Sequence, residues 1–106
     1  MEAAQVVRAL AAIAHESRLA VFRLLVSIGP DGLSAGTLAE MLGIAPSALS
    51  FHLKDLTQAG LLVQRPDGRR LIYSANFEAM QALVGYLTEN CCQGEACEIT
   101  NQGACC

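Results

Sequence analysis

Three observations predict a mostly α-helical winged helix-turn-helix, with five helices and a two-stranded wing. Apolar residues recur at three- and four-residue spacing through most of the chain, as amphipathic helices require. The stretch "SAGTLAEMLGIAPSALSFHLKDLTQAG" reads as two short helices joined by a two-residue link. In "LLVQRPDGRRLIYSA" the period changes to that of strands, interrupted by Pro-Asp-Gly. A length of 106 residues suits one domain with a modest core.

The first helix is expected over residues 6–14, where Val6, Val7, Leu10, Ile13 and Ala14 form one apolar face. The second starts with Ser17 as its cap and presents Leu19, Phe22, Leu25 and Val26 until Gly29-Pro30-Asp31-Gly32 breaks it. His15 falls in the loop or cap before it, and Arg18 and Arg23 are placed for structural ion pairs. Ser34 opens the third helix, buried through Leu38, Ala39 and Leu42, and Gly43 ends it. Pro46 stands in the first turn of the fourth, whose stripe is Leu49, Leu53 and Leu56 and whose stop is Gly60. Residues 62–65 and 70–73 form the wing strands around the turn Pro66-Asp67-Gly68. The last helix runs from Asn76 to Asn90 through Phe77, Met80, Leu83, Val84 and Leu87, and reaches the cysteines directly.

Composition narrows the function classes. Apolar residues make up 53% of the chain and aromatics 5%, without tryptophan, so the core is one of Leu, Ala, Val and Ile. The apolar excess points to a homodimer paired through the first and last helices. No run is long enough to span a bilayer, and Glu2 and Arg8 do not fit a signal peptide, so a soluble cytoplasmic protein without membrane contact is expected. The net charge of −3 conceals an uneven distribution. Residues 46–74 carry Lys54, Arg65, Arg69 and Arg70 against Asp55 and Asp67, a net +2, which leaves −5 elsewhere.

That basic stretch coincides with the second helix of the pair and with the wing, which favours double-stranded DNA as the partner over a protein-interaction module. Ser47, Ser50, His52 and Lys54 are the candidates for reading base edges, and Arg65, Arg69 and Arg70 for meeting phosphates. His52 has a second reading, as a helix-surface histidine packed on its neighbour. Two copies would place their reading helices about 34 Å apart, one turn of the duplex. The chain shows no phosphate-binding glycine loop and no histidine or acid fixed beside a nucleophile, so neither an enzyme nor an organic cofactor is expected.

The order of elements and the run "SALSFHLKDLTQAGLLVQRPDGRRLIYSA" resemble the ArsR/SmtB family of small dimeric metal- and metalloid-responsive repressors, over residues 5–90. The resemblance implies a repressor that holds its operator without effector and releases it when effector binds. It places Ser47, Ser50, His52 and Lys54 on the reading helix and Arg69 and Arg70 on the wing. Two sensing sites of the family are missing. "LSAGTLAE" has no cysteine pair, and "NFEAMQALVGYLTEN" has no Asp-x-His pattern.

Sensing therefore moves to residues 91–106, set apart from a DNA-binding and dimerisation domain over residues 1–90. All five cysteines lie there: Cys91, Cys92, Cys97, Cys105 and Cys106. In a reducing compartment such a cluster reads as metal-binding or redox chemistry. Cys97 can return towards Cys91 and Cys92 through a bend at Gly94, and three thiolates suit trivalent arsenic or antimony, whereas zinc wants a fourth ligand. Zinc or cadmium, a redox or persulfide switch, and a tail without function stay open as alternatives. Glu89, Glu95 and Glu98 near the thiols weigh against the redox reading. The "NCC" followed by a third cysteine is similar to an arsenite-responsive variant of the family. That likeness implies Cys91, Cys92 and Cys97 as ligands, with Cys105 and Cys106 as possible extra thiolates.

Overall fold

The computed structural model describes residues 1–94, so the expected ligands Cys97, Cys105 and Cys106 lie outside the described residues. Five helices carry the fold: α1 (Ala3–Ile13), α2 (Glu16–Ile28), α3 (Ala35–Leu42), α4 (Pro46–Gln58) and α5 (Phe77–Leu87). Three strands complete it, β1 (Leu33–Ser34), β2 (Leu62–Asp67) and β3 (Arg70–Ala75), in the antiparallel order β1-β3-β2.

The core forms where the leucine stripes meet. Leu49, Leu53 and Leu56 of α4 are buried, and with Val21 and Leu25 of α2, Leu38 of α3 and Leu61 and Leu62 they make one cluster. On α1 the buried stripe is Val6, Ala9 and Ala12, whose small side chains let helices approach closely. Val7 and Leu10, predicted on the same apolar face, are 64% and 42% exposed. The same division runs along α5, where Leu83 is buried and Val84 and Leu87 are exposed. On α2, Leu19 faces out and Val21 takes the buried place, while on α3 Leu42 is only half-buried.

Four local expectations change. The cap of α2 is His15, not Ser17: its Nδ1 accepts a hydrogen bond from the Ser17 amide at 3.1 Å. The wing turn is not Pro66-Asp67-Gly68, because pairing continues through Pro66↔Leu71 to Asp67↔Arg70 and leaves Gly68-Arg69 as a two-residue connection. Gly68, at φ 65, supplies the left-handed conformation that such a connection demands. Pro66 is tolerated since β2 is an edge strand. A third strand, β1, pairs Leu33 with Tyr73 and Ser34 with Ile72, so the wing hairpin is tied to the base of α3. Just before β1, Gly32 has φ +70 and a Cβ there would lie 2.3 Å from the Tyr73 carbonyl oxygen, so only glycine permits this approach. Finally α5 stops at Leu87, and a 3-10 turn, Cys91–Gly94, carries the first two cysteines.

The helix-turn-helix itself matches expectation. Ser34 caps α3 by accepting from the Thr37 amide, Gly43 closes it in the left-handed region, and Pro46 starts α4.

Candidate DNA interface and adjacent cysteines

The buried stripe of α4 determines what its other faces present. With 3.6 residues per turn, Ser47, Phe51, Lys54 and Gln58 fall opposite Leu49, Leu53 and Leu56, and all four are exposed. Ser50 lies on the flank towards the wing. There Ser50, Lys54, Thr57 and Gln58 border a cleft of 330 Å³ with Gln64 and Tyr73 across it. Sequence reading assigned no role to Phe51, Gln58 or Gln64. Helical spacing from Lys54 marks the first two, but Gln64 joins them only through the register Gln64↔Tyr73, which no local pattern reveals.

His52 points elsewhere. It sits on the flank towards α2, half-buried, and its Nδ1 accepts from the Arg18 Nε at 3.1 Å. Arg18 Nη2 also reaches the Asp55 carboxylate at 2.5 Å, the expected structural ion pair, and its guanidinium lies 5.9 Å from the Phe51 ring centroid. The rings of His15 and His52 are 4.8 Å apart, tilted by 50°. Burial, then the nearby His15 and Arg18, lower the His52 pKa below its ordinary value, against a smaller opposing effect of Asp55. His52 thus lies in the seam between α2 and α4, which fits its second sequence reading as a helix-surface histidine packed on its neighbour rather than the base-reading one. No ion pair forms at Arg23 among the described residues.

The wing arginines divide in the same way. Arg65 donates from Nη2 to the Asp31 carbonyl at 2.7 Å and so steadies the loop before β1. Arg70 faces Asp67 at 3.6 Å, an exposed pair that contributes little stability. Arg69 stands at the turn without an ion pair among the described residues. Arg69 and Arg70 border a cleft of 640 Å³ whose other wall includes Ser34, Gly36 and Thr37 at the start of α3. Serine hydroxyls and a lysine on the exposed side of a helix, with arginines on a neighbouring hairpin, suit a polyanion that also presents donors and acceptors in a groove.

Beyond α5, the Cys91 and Cys92 sulfurs are 3.5 Å apart and both residues are half-buried. Asn90, Cys92 and Gln93 take positive φ, so the chain turns sharply here. Among the described residues no group of three or more His, Cys, Asp or Glu side chains converges. No helix among them is long and apolar enough to cross a membrane.

Comparison with known proteins agrees with this geometry. Residues 13–65 match a family described as a helix-turn-helix domain. The chain is 34% identical over 90 residues to the HTH-type transcriptional regulator YgaV of Escherichia coli, covering 85% of this chain and 89% of that one. It is 33% identical over 75 residues to a putative arsenical resistance operon repressor of Halobacterium salinarum, covering 71% and 57%. An ArsR-like transcriptional regulator from Rhodococcus superposes with a TM-score of 0.71 at 27% identity, over 79% of this chain and 76% of the other. A homodimeric winged helix-turn-helix DNA-binding domain from Mycobacterium bovis, described as a possible ArsR-family regulator, superposes with a TM-score of 0.65 at 26% identity, over 89% and 87%.

Proposed function

Since this chain belongs to the ArsR-like family of winged-helix, DNA-binding transcriptional regulators, we propose that it is a homodimeric repressor that releases its operator when trivalent arsenic or antimony binds the thiolates of Cys91, Cys92 and Cys97. The observation that carries the effector reading is the pair of sulfurs 3.5 Å apart directly after α5. One thiophilic ion can meet both sulfurs at that spacing, and a third thiolate completes the pyramid that trivalent arsenic prefers. Cys97 is the nearest cysteine in sequence to supply it, with Cys105 and Cys106 as further candidates. The likeness to a protein described as a putative arsenical resistance operon repressor supports the same reading.

Val7 and Leu10 of α1 and Val84, Tyr86 and Leu87 of α5 are exposed, and α1 packs on α5. A second copy covering these helices would remove that apolar surface from water. The Cys91 and Cys92 sulfurs follow one of the two helices that dimerise. Closing thiolates around an ion draws in the end of α5, changes how the subunits pair, and moves the two reading helices out of register with successive grooves. The effector acts only through its differential affinity for the two arrangements, with couplings of about 1–3 kcal/mol typical.

Reduced protein bound to a labelled fragment of its own promoter region is titrated in parallel with arsenite, antimonite, zinc and cadmium. Release by arsenite or antimonite near stoichiometry, with zinc inert, is the expected result. Deleting residues 91–106 is expected to leave DNA binding intact and abolish release. A truncated protein that still responds to arsenite would remove the cysteines from the mechanism. Binding that none of the four reagents disturbs would overturn the metalloid reading and favour oxidation or persulfidation of the same sulfur pair.

A further inference from the structure

The residue at the centre of the outer face of α4 is Phe51, 62% exposed. A large ring in water is unfavourable, and the more polar Ser47 and Lys54 flank it on a surface that otherwise suits a charged partner. Its position is not left loose. The Arg18 guanidinium lies 5.9 Å from the ring centroid, and Arg18 is itself held by Asp55 and by His52 Nδ1. Phe51 is therefore a backed apolar side chain, flanked by Lys54 on the stripe that also carries Ser47.

The edges of base pairs in the major groove present one apolar group, the C5-methyl of thymine. Cytosine shows the same group only when methylated at C5. Resting on the DNA-reading role proposed above, we propose that Phe51 is a specificity-determining residue that selects a pyrimidine C5-methyl in the operator half-site. Lys54 beside it supplies the cation that draws the duplex in, while Ser47 and Ser50 are left to hydrogen-bond neighbouring base edges. The ring cannot donate or accept a hydrogen bond in the plane of the bases, so it selects by covering the methyl group and leaving polar edges unsatisfied elsewhere.

The test uses the full-length reduced protein. Its preferred duplex is selected from a random library, and each thymine in that duplex is then replaced singly by deoxyuridine, or its pair with adenine by a pair of guanine with cytosine or 5-methylcytosine. Affinities are measured for the protein and for Phe51→Ala. At one or two positions per half-site, thymine is expected to bind about four-fold tighter than uracil, the ratio expected for burying one methyl group. At the same positions 5-methylcytosine is expected to exceed cytosine, and Phe51→Ala to abolish both preferences. Specific binding with no position sensitive to the methyl, or with equal sensitivity in Phe51→Ala, would overturn the assignment and leave the DNA-reading role in place. Failure to select any sequence would overturn the DNA-reading role itself.

Discussion

Replacing Asp55 by alanine tests whether the seam between α2 and α4 is held by its ion pair. The pair is neither surface nor core, with side-chain exposures of 16% for Arg18 and 33% for Asp55. Exposed pairs contribute about 1 kcal/mol or less, and stranding one partner of a fully buried pair costs about 3–5 kcal/mol. The intermediate setting places the loss at about 2.5 kcal/mol, and the better helix propensity of alanine returns about 0.5 kcal/mol. A net loss of about 2 kcal/mol lowers the midpoint of thermal unfolding by roughly 10 °C in a domain of this size. A double-mutant cycle with Arg18→Met, measured by thermal and urea unfolding, is expected to show a coupling of about 1–2 kcal/mol. A shift below about 2 °C, or strictly additive losses, would mean that apolar packing alone positions α4.

The seam also predicts a pH response. His52 has a folded-state pKa below its ordinary value, so on acidification the unfolded chain takes up the proton first. Stability is then lost as pH falls below about 6.5, until the folded-state pKa is passed. Unfolding midpoints measured between about pH 7.5 and about pH 5.5 should fall more steeply in the protein than in His52→Gln, and parallel profiles would contradict this account. On the wing, Arg69→Ala should weaken binding to all DNA sequences alike and reduce the slope of log affinity against log salt by about one. A change confined to one sequence would instead make Arg69 a base-reading residue.

The helix-turn-helix was legible because its signals are local. Ser34, Gly43, Pro46 and Gly60 punctuate the chain where the backbone requires them, and the Leu49-Leu53-Leu56 stripe needs only helical spacing. The division of α1 was less legible, since Val7 and Leu10 are as apolar as the residues that do enter the core. Hydrophobicity marks what can be buried, while the neighbouring helices select which stripe is.

From the sequence alone came the order of elements, the core of α4, the basic character of the reading helix and wing, and the gathering of every cysteine after the last helix. The tertiary structure decided the partners. His52 meets Arg18 across 34 positions and Asp55 meets Arg18 across 37, and Arg65 is drawn to the Asp31 carbonyl. The two-residue strand β1 exists only because β3 offers it an edge. Periodicity and capping act within a few residues of the chain and can be read along it. Pairings between distant segments depend on how the helices and strands dock, and that is set by the packing of the whole core.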